Sequence, residues 1–310
     1  MDDPHVLVIG TSCLDVKGQA AQPLQRGTSI PGTIHSSSGG VARNIAENLA
    51  RLGVSTTLLS AVGGDRPGQR ILGQAAEAGI DISQMLVVPE TDTGAYLALF
   101  DHEGRLIFGL DDTRITAAIR PRYIYDNRRL FRDASMIVLD ASPHRETLKT
   151  IFRLARHYGV PVCADPTSVT LASRLRPHLR DLLLVAPNVQ EAEVLCRCSI
   201  PAGDHGAALA AAKTLISRGV QIAIITMAEE GLCYATSEES GSVPAVQTEV
   251  VDLTGGGDAL TAAVVFALLN DIPVSEAMQL GCSAASLTIA CDQTTVPNLT
   301  LELLYDHLSV

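Results

Sequence analysis

The sequence predicts an α/β protein with a mostly parallel central sheet, helices on both of its faces, and a small β lid. Three observations carry this reading. Short, near-continuously apolar runs alternate with stretches of helical period along most of the 310 residues, the pattern of buried parallel strands joined by crossover helices. Hydrophobic residues make up 46% and charged residues 18% of the chain, which suits a large core and excludes disorder. Two segments, about 16–38 and 93–112, break the rhythm.

The elements follow in order. His5-Val6-Leu7-Val8-Ile9-Gly10 reads as a buried strand. Val41, Ile45, Leu49 and Leu52 fall at helical spacing with Gly53 as a stop, and Thr56 to Val62 reads as the next strand. The alternation resumes with a strand at Ser135–Asp140, a helix at Arg145–Tyr158, strands at Val160–Asp165 and Asp181–Val185, a helix at Ala207–Arg218 and a strand at Gln221–Thr226. Two long Ala-rich helices, Gly256–Leu269 and Val274–Ala290, close the chain. Val16 to Ser38 is polar and turn-rich. Thr93 to Leu110 reads as a hairpin turning at Asp101-His102-Glu103-Gly104. Its alternation puts Tyr96 and Phe100 on one face and Leu97 and Leu99 on the other, so the ribbon needs two covers: a substrate and a partner subunit, or, as the alternative, the chain's own helices over a sheet edge. The reading is therefore one domain over 1–310, with a lid that also joins a homodimer.

Composition excludes several functions. The net charge of −11, with no Trp and 5 Phe, argues against a nucleic-acid binder. The start, Met1-Asp2-Asp3-Pro4, has no basic flank of a secretory signal, and no apolar run reaches the roughly 18 residues of a membrane span. The 7 cysteines are scattered, with Cys196 and Cys198 at poor zinc spacing, which reads as reduced thiols of a cytoplasmic protein. His144, His157 and His205 read as surface groups.

Two glycine segments carry the chemistry. Asp252-Leu253-Thr254-Gly255-Gly256-Gly257-Asp258 leads into a long helix. Glycines there leave backbone N–H groups unhindered at the positive end of the helix dipole, a cradle for phosphate or a developing anion. Asp258 is either a helix cap or a proton acceptor beside that cradle, and the glycine run alone leaves both readings open. Ser38-Gly39-Gly40-Val41-Ala42-Arg43-Asn44 places two glycines at a second helix start, with the Asn44 amide able to bond sugar hydroxyls. Gly10-Thr11-Ser12-Cys13-Leu14-Asp15 adds a carboxylate just after the first strand, where open α/β sheets bind ligands. A Gly-x-Gly-x-x-Gly fingerprint is missing, which counts against a dinucleotide-binding oxidoreductase.

Taken in this order, these segments resemble the PfkB carbohydrate kinase family, with its ribokinase-like fold. The resemblance runs nearly end to end and includes Ala61-Val62-Gly63-Gly64-Asp65, Asp165-Pro166, Asn188-Val189-Gln190-Glu191 and Thr226. Within the family, Pro31-Gly32, the run Gly39 to Gly53, and Ser60-Ala61-Val62-Gly63 look most like the pseudouridine kinases.

The resemblance implies an ATP- and Mg²⁺-dependent kinase acting on the 5′-hydroxyl of a ribonucleoside, with pseudouridine the favoured acceptor. Ribose, another nucleoside or a sugar acid is the alternative acceptor, and a non-catalytic sugar- or nucleotide-sensing relative the rival of another class. Asp258 takes the hydroxyl proton, and the amides of Gly255, Gly256 and Gly257 form the anion hole. Asp15, Asn44, Gly39 and Gly40 hold the ribose, while Ser12, Thr93 and Tyr96 lie near the expected base pocket. Asn188, Thr226, Gly231, Gly255 and Gly257 are assigned to the nucleotide, and Glu191 to Mg²⁺ through water. Asp252 and Thr254 match positions that bind a monovalent cation in some members, with K⁺ the candidate. The sequence departs from the pattern with Gly256 where Ala is usual, Leu253 for a common Thr, and Ala228 in place of a Gly, which narrows the approach of the nucleotide.

Overall fold

The computed structural model describes residues 4–308. In chain order the strands are β1 (His5–Ile9), β2 (Cys13–Ala20), β3 (Gly32–Gly39), β4 (Ser55–Leu59), β5 (Ala61–Gly63), β6 (Leu86–Val88), β7 (Ala95–Phe100), β8 (Leu106–Asp112), β9 (Met136–Asp140), β10 (Val162–Asp165), β11 (Leu184–Val185), β12 (Ile222–Thr226), β13 (Leu232–Ala235) and β14 (Ser240–Val243). Eight of them form one sheet in the order β14-β13-β12-β11-β10-β9-β1-β4. From β4 through β12 every pairing in that sheet is parallel, and β13 and β14 are added antiparallel at one edge.

Strand alternation divides the core. Leu7 and Ile9 of β1, with Ile137 and Leu139 of β9, pack with Leu148, Ile151 and Phe152 of the Arg145–Tyr158 helix on one side. Val6, Val8, Met136 and Val138 face the other side, against Ile45 and Leu49 of the Val41–Arg51 helix and Val264 and Val265 of the Gly256–Leu269 helix. Because both faces are covered, the strands are apolar at successive positions rather than alternate ones. All four β1 residues from Val6 to Ile9 are fully buried, so each side chain removes about 1.5 to 3 kcal/mol worth of apolar surface from water.

A second sheet, ordered β3-β2-β7-β8, stands over the carboxyl ends of the main one. β2 pairs antiparallel with β3 and parallel with β7, and β7 and β8 form an antiparallel hairpin. Register puts Asp15, Lys17, Ser37, His35 and Tyr96 on one face, toward the body. On the other face Ile34, Leu97, Phe108 and Leu110 are all exposed.

Three elements differ from their expected spans. The run Thr56–Val62 is two strands, because buried Ser60 turns out of the sheet and donates its hydroxyl to the Gly10 carbonyl at 2.6 Å. The polar stretch after Val16 contains the full strand β3. The expected strand Asp181–Val185 shrinks to Leu184–Val185, since Arg176–Asp181 winds into a 3₁₀ turn with Pro177 at its start.

Candidate active site

The parallel sheet delivers side chains to one edge. Asp140 ends β9, Asp165 ends β10, Thr226 ends β12, and the loop after β1 carries Thr11 and Ser12. Asp140 is fully buried, and its carboxylate accepts from the Thr11 N–H at 2.7 Å and the Ser142 N–H at 2.9 Å. It thereby pins the β1 loop against the sheet.

Above this edge two helix starts meet. The Gly256–Leu269 helix begins after Gly255, whose φ of 87° is left-handed. A side chain at Gly255 would strike the Thr294 carbonyl oxygen at 2.2 Å, and one at Gly256 would press on Ile289, whereas Gly257 has nothing within 4 Å. The N–H groups of Gly255, Gly256 and Gly257 find no acceptor among the described residues, as expected of donors at a helix N-terminus. Asp258, in the first turn, is 9% exposed. Its Oδ2 accepts from Asn44 Nδ2 at 2.7 Å. Asn44 lies in the first turn of the Val41–Arg51 helix, and Arg43 Nη1 donates to Asn44 Oδ1 at 3.0 Å, which fixes the amide with its nitrogen toward Asp258. Arg43 is held in turn by a buried ion pair with Glu47 and by the Ser38 carbonyl at 3.1 Å.

The electrostatics single out Asp258. Burial pushes its pKa up to about 7, the Asn44 hydrogen bond opposes the shift, and Asp15, Asp140 and Glu191 add to it. Asp165 is raised well above the carboxylate range by burial, by Asp258 and by Glu191, and Glu191 is raised by burial. Asp15, 3% exposed on β2, is raised by burial and partly relieved by Lys17, Cys13 and Arg43. These acids form an under-compensated field, which favours a cation or a proton among them.

The other expected site residues divide. Tyr96 sits opposite Asp15 on the lid face, its phenol pushed up by burial and by Asp15 and Asp111. The hydroxyls of Ser12 and Thr11 are buried without a hydrogen-bond partner. Asn188 and Glu191 cap the Val189–Cys196 helix reciprocally at 3.0 Å each way, which leaves the Asn188 amide nitrogen and one Glu191 oxygen for another partner. Thr226 bridges Asn188. Thr93 stands apart: its hydroxyl donates to Asp65 at 2.5 Å and accepts from Gly63 N–H at 2.9 Å, so it roots the start of the lid hairpin. Gly231 has a packing reason, since a side chain there would meet the Val243 carbonyl oxygen at 2.1 Å. Gly39 and Gly40 also make room for protein, the first for the Asp15 carboxylate and the second for the Thr11 carbonyl. Asp252 already has a cationic partner: Lys17 Nζ is paired with its Oδ2, and its Oδ1 accepts from the Thr254 N–H at 2.9 Å. Ala228 takes φ 51°, the left-handed backbone that a Gly would adopt without strain.

A family model described as "pfkB family carbohydrate kinase" matches residues 3–301. The chain belongs to the PfkB family of carbohydrate kinases. It is 33% identical over 298 residues to the pseudouridine kinase of Escherichia coli, covering 96% of this chain and 94% of that one. It is 30% identical over 291 residues to the guanosine-inosine kinase of Exiguobacterium acetylicum, covering 92% and 94%. The structure of Arabidopsis thaliana ribokinase complexed with ribose and ATP superimposes over 100% of both chains with a TM-score of 0.86 at 20% identity, so the fold is ribokinase-like. As a PfkB member the protein is a phosphotransferase with an alcohol acceptor and ATP as a substrate.

Residues without an expected role also shape this PfkB site. Asp140 and Asp165 end adjacent parallel strands, and that position is the signal that could have marked them. Lys17 lies two positions beyond Asp15, on the same strand face, and so was legible from alternation alone. A cavity of about 940 Å³ opens along the β3 edge, with Lys17, His35, Ser38, Arg43, Asp252 and Thr294 in its wall; it adjoins the Asp258 pair without including it. Among the described residues no three His, Cys, Asp or Glu side chains are grouped to hold a metal ion, and no helix is long and apolar enough to cross a membrane.

Proposed function

We propose that this kinase phosphorylates the 5′-hydroxyl of a ribonucleoside, pseudouridine first among acceptors, with Asp258 as the base. The observation that carries the reading is the Asn44–Asp258 pair at 2.7 Å beside three glycine N–H groups that have no acceptor among the described residues. An alcohol is too weak an acid to be ionised in advance, so Asp258 accepts the proton as the oxygen attacks phosphorus. A carboxyl group raised to about 7 holds that proton better than an ordinary aspartate. Asn44 keeps the accepting oxygen aimed, and Arg43 keeps Asn44 from flipping. The amides of Gly255, Gly256 and Gly257 receive charge on the transferred group, where one well-placed donor is worth about 2.7 to 4 kcal/mol. Asp15 and Tyr96 face the acceptor from the lid, which excludes water that would otherwise take the phosphoryl group.

Asp165, Glu191 and the Asn188 amide fit a Mg²⁺ ion held through water, since these buried acids have no cationic partner among the described residues. When bound, Mg²⁺ neutralises charge on the nucleotide phosphates. Likeness to the pseudouridine kinase supports a pyrimidine C-nucleoside, and likeness to the guanosine-inosine kinase supports a purine nucleoside as the second reading. ADP release measured over pseudouridine, uridine, inosine, guanosine and ribose decides between them; turnover of ribose alone would overturn the nucleoside reading.

The exposed face of the lid, with Ile34 78%, Phe108 68% and Leu110 67% exposed, supports a homodimer through the lid sheet. Sedimentation should give twice the chain mass, and Phe108→Glu should return it to one; a wild-type monomer at micromolar concentration contradicts the dimer. The seven unpaired cysteines, five of them buried, suit a reducing compartment such as the cytoplasm.

A further inference from the structure

The position that would receive a monovalent cation does not fit one here. A hard cation is held by several oxygens free to turn toward it. At Asp252, three residues before the first free cradle amide, one carboxylate oxygen is engaged by the Lys17 ammonium and the other by the Thr254 N–H. Both side chains of the pair are only 15% exposed, so the charge is held close and screened little by solvent.

We infer that Lys17 is a built-in cation: a positioning residue on the lid whose ammonium replaces a free monovalent ion and locks the loop entering the glycine cradle. The placement favours this. Lys17 belongs to β2 and Asp252 to the body, 235 residues away in sequence. The loop around Asp252 is otherwise exposed, with Val250 53%, Val251 59% and Leu253 70% accessible. Apart from the Asp252–Thr254 bond and the Lys17 pair, it is tied by backbone bonds from Val251 and Asp252 to the Ile289 carbonyl. Asp15 sits two positions before Lys17 on the same face of the same strand. One strand therefore meets the acceptor with a carboxylate and the cradle loop with an ammonium. The hold on the loop is thus coupled through β2 to the strand that meets the acceptor, whereas a dissolved ion would bind without regard to the acceptor. Lysine suits this, being a compact charge with three donors on a flexible stem.

The inference rests on the kinase reading above, and the test separates the two. Rates and melting temperatures are measured for wild type, Lys17→Met and Lys17→Met/Asp252→Asn, with tetramethylammonium, Na⁺ or K⁺ as the sole monovalent cation. Wild type should show the same rate and melting temperature in all three. Lys17→Met should lose about tenfold or more in rate in tetramethylammonium, from the uncompensated Asp252 charge, and K⁺ should restore much of that rate and raise its melting temperature. The double variant should respond to no cation. Stimulation of wild type by about tenfold on adding K⁺, or no loss in Lys17→Met, overturns the inference. If no acceptor is phosphorylated by wild type, the kinase proposal fails alone, and K⁺-dependent melting of Lys17→Met still decides whether Lys17 occupies a cation site.

Discussion

The two glycine segments look alike in sequence, yet Gly39 and Gly40 of one and Gly257 of the other do opposite things in the fold. At Gly39 and Gly40 the missing side chains make space for the protein itself: added Cβ atoms would lie 2.2 Å from the Asp15 carboxylate and 2.5 Å from the Thr11 carbonyl. Gly40, at φ 99°, also needs the left-handed backbone. At Gly257 the added atom would touch nothing, although the neighbouring Asp258 is buried and aimed by Asn44. Gly39 and Gly40 thus assemble the site, as Gly255 does against the Thr294 carbonyl, while Gly257 keeps a place for something that is not protein. A glycine demanded by packing is a stability feature, while one facing open space at a helix start is a ligand feature.

Mutations can break this contrast. The largest effect is expected at the carboxylate the two segments share: Asp258→Asn should lower kcat by about 10² to 10⁴ while sparing acceptor binding. The same variant should melt higher than wild type at pH 8. A carboxyl raised by burial favours the folded state below its unfolded pKa near 4, and that contribution is lost as pH rises through about 7. Gly257→Ala comes next, with a loss of about 10² in activity from crowding the cradle and an unchanged melting temperature. Gly40→Ala should invert that pattern, costing about 3 kcal/mol in denaturant unfolding. If Gly257→Ala unfolds the protein, or Gly40→Ala leaves stability intact, the contrast is wrong. The smallest effect is expected at Thr93→Val, about 1 to 2 kcal/mol in stability from the lost Asp65 bond, with the acceptor KM unmoved.

Much of this was readable from the sequence, for physical reasons. Apolar runs such as Val6 to Ile9 mark buried parallel strands, and both glycine segments stand at helix starts, so the fold and those starts could be anticipated, while the Asn44–Asp258 hydrogen bond could not. β3 was not legible, because Thr33-Ile34-His35-Ser36-Ser37 is an edge strand with largely exposed residues and therefore has no apolar alternation. Thr93 and Gly231, assigned to ligands by the resemblance, also have protein partners that the sequence does not show, because a polar or small residue near a site looks the same whether it meets a substrate or a neighbouring loop. The Lys17–Asp252 pair depends on the lid folding over the body, and no local pattern encodes that contact. Asp140 could have been marked by its place at a strand end, but its bonds to the Thr11 and Ser142 N–H groups could not.

The central claim, that Asp258 is a proton acceptor tuned by burial and aimed by Asn44, is tested most directly by the pH dependence of kcat/KM for the acceptor at saturating ATP and Mg²⁺. The expected profile falls on the acid side through a single ionisation near 7, and Asn44→Leu should move that limb to higher pH because the hydrogen bond that favours the carboxylate is gone. A profile flat down to about pH 5, below which an ordinary aspartate would begin to protonate, would contradict it.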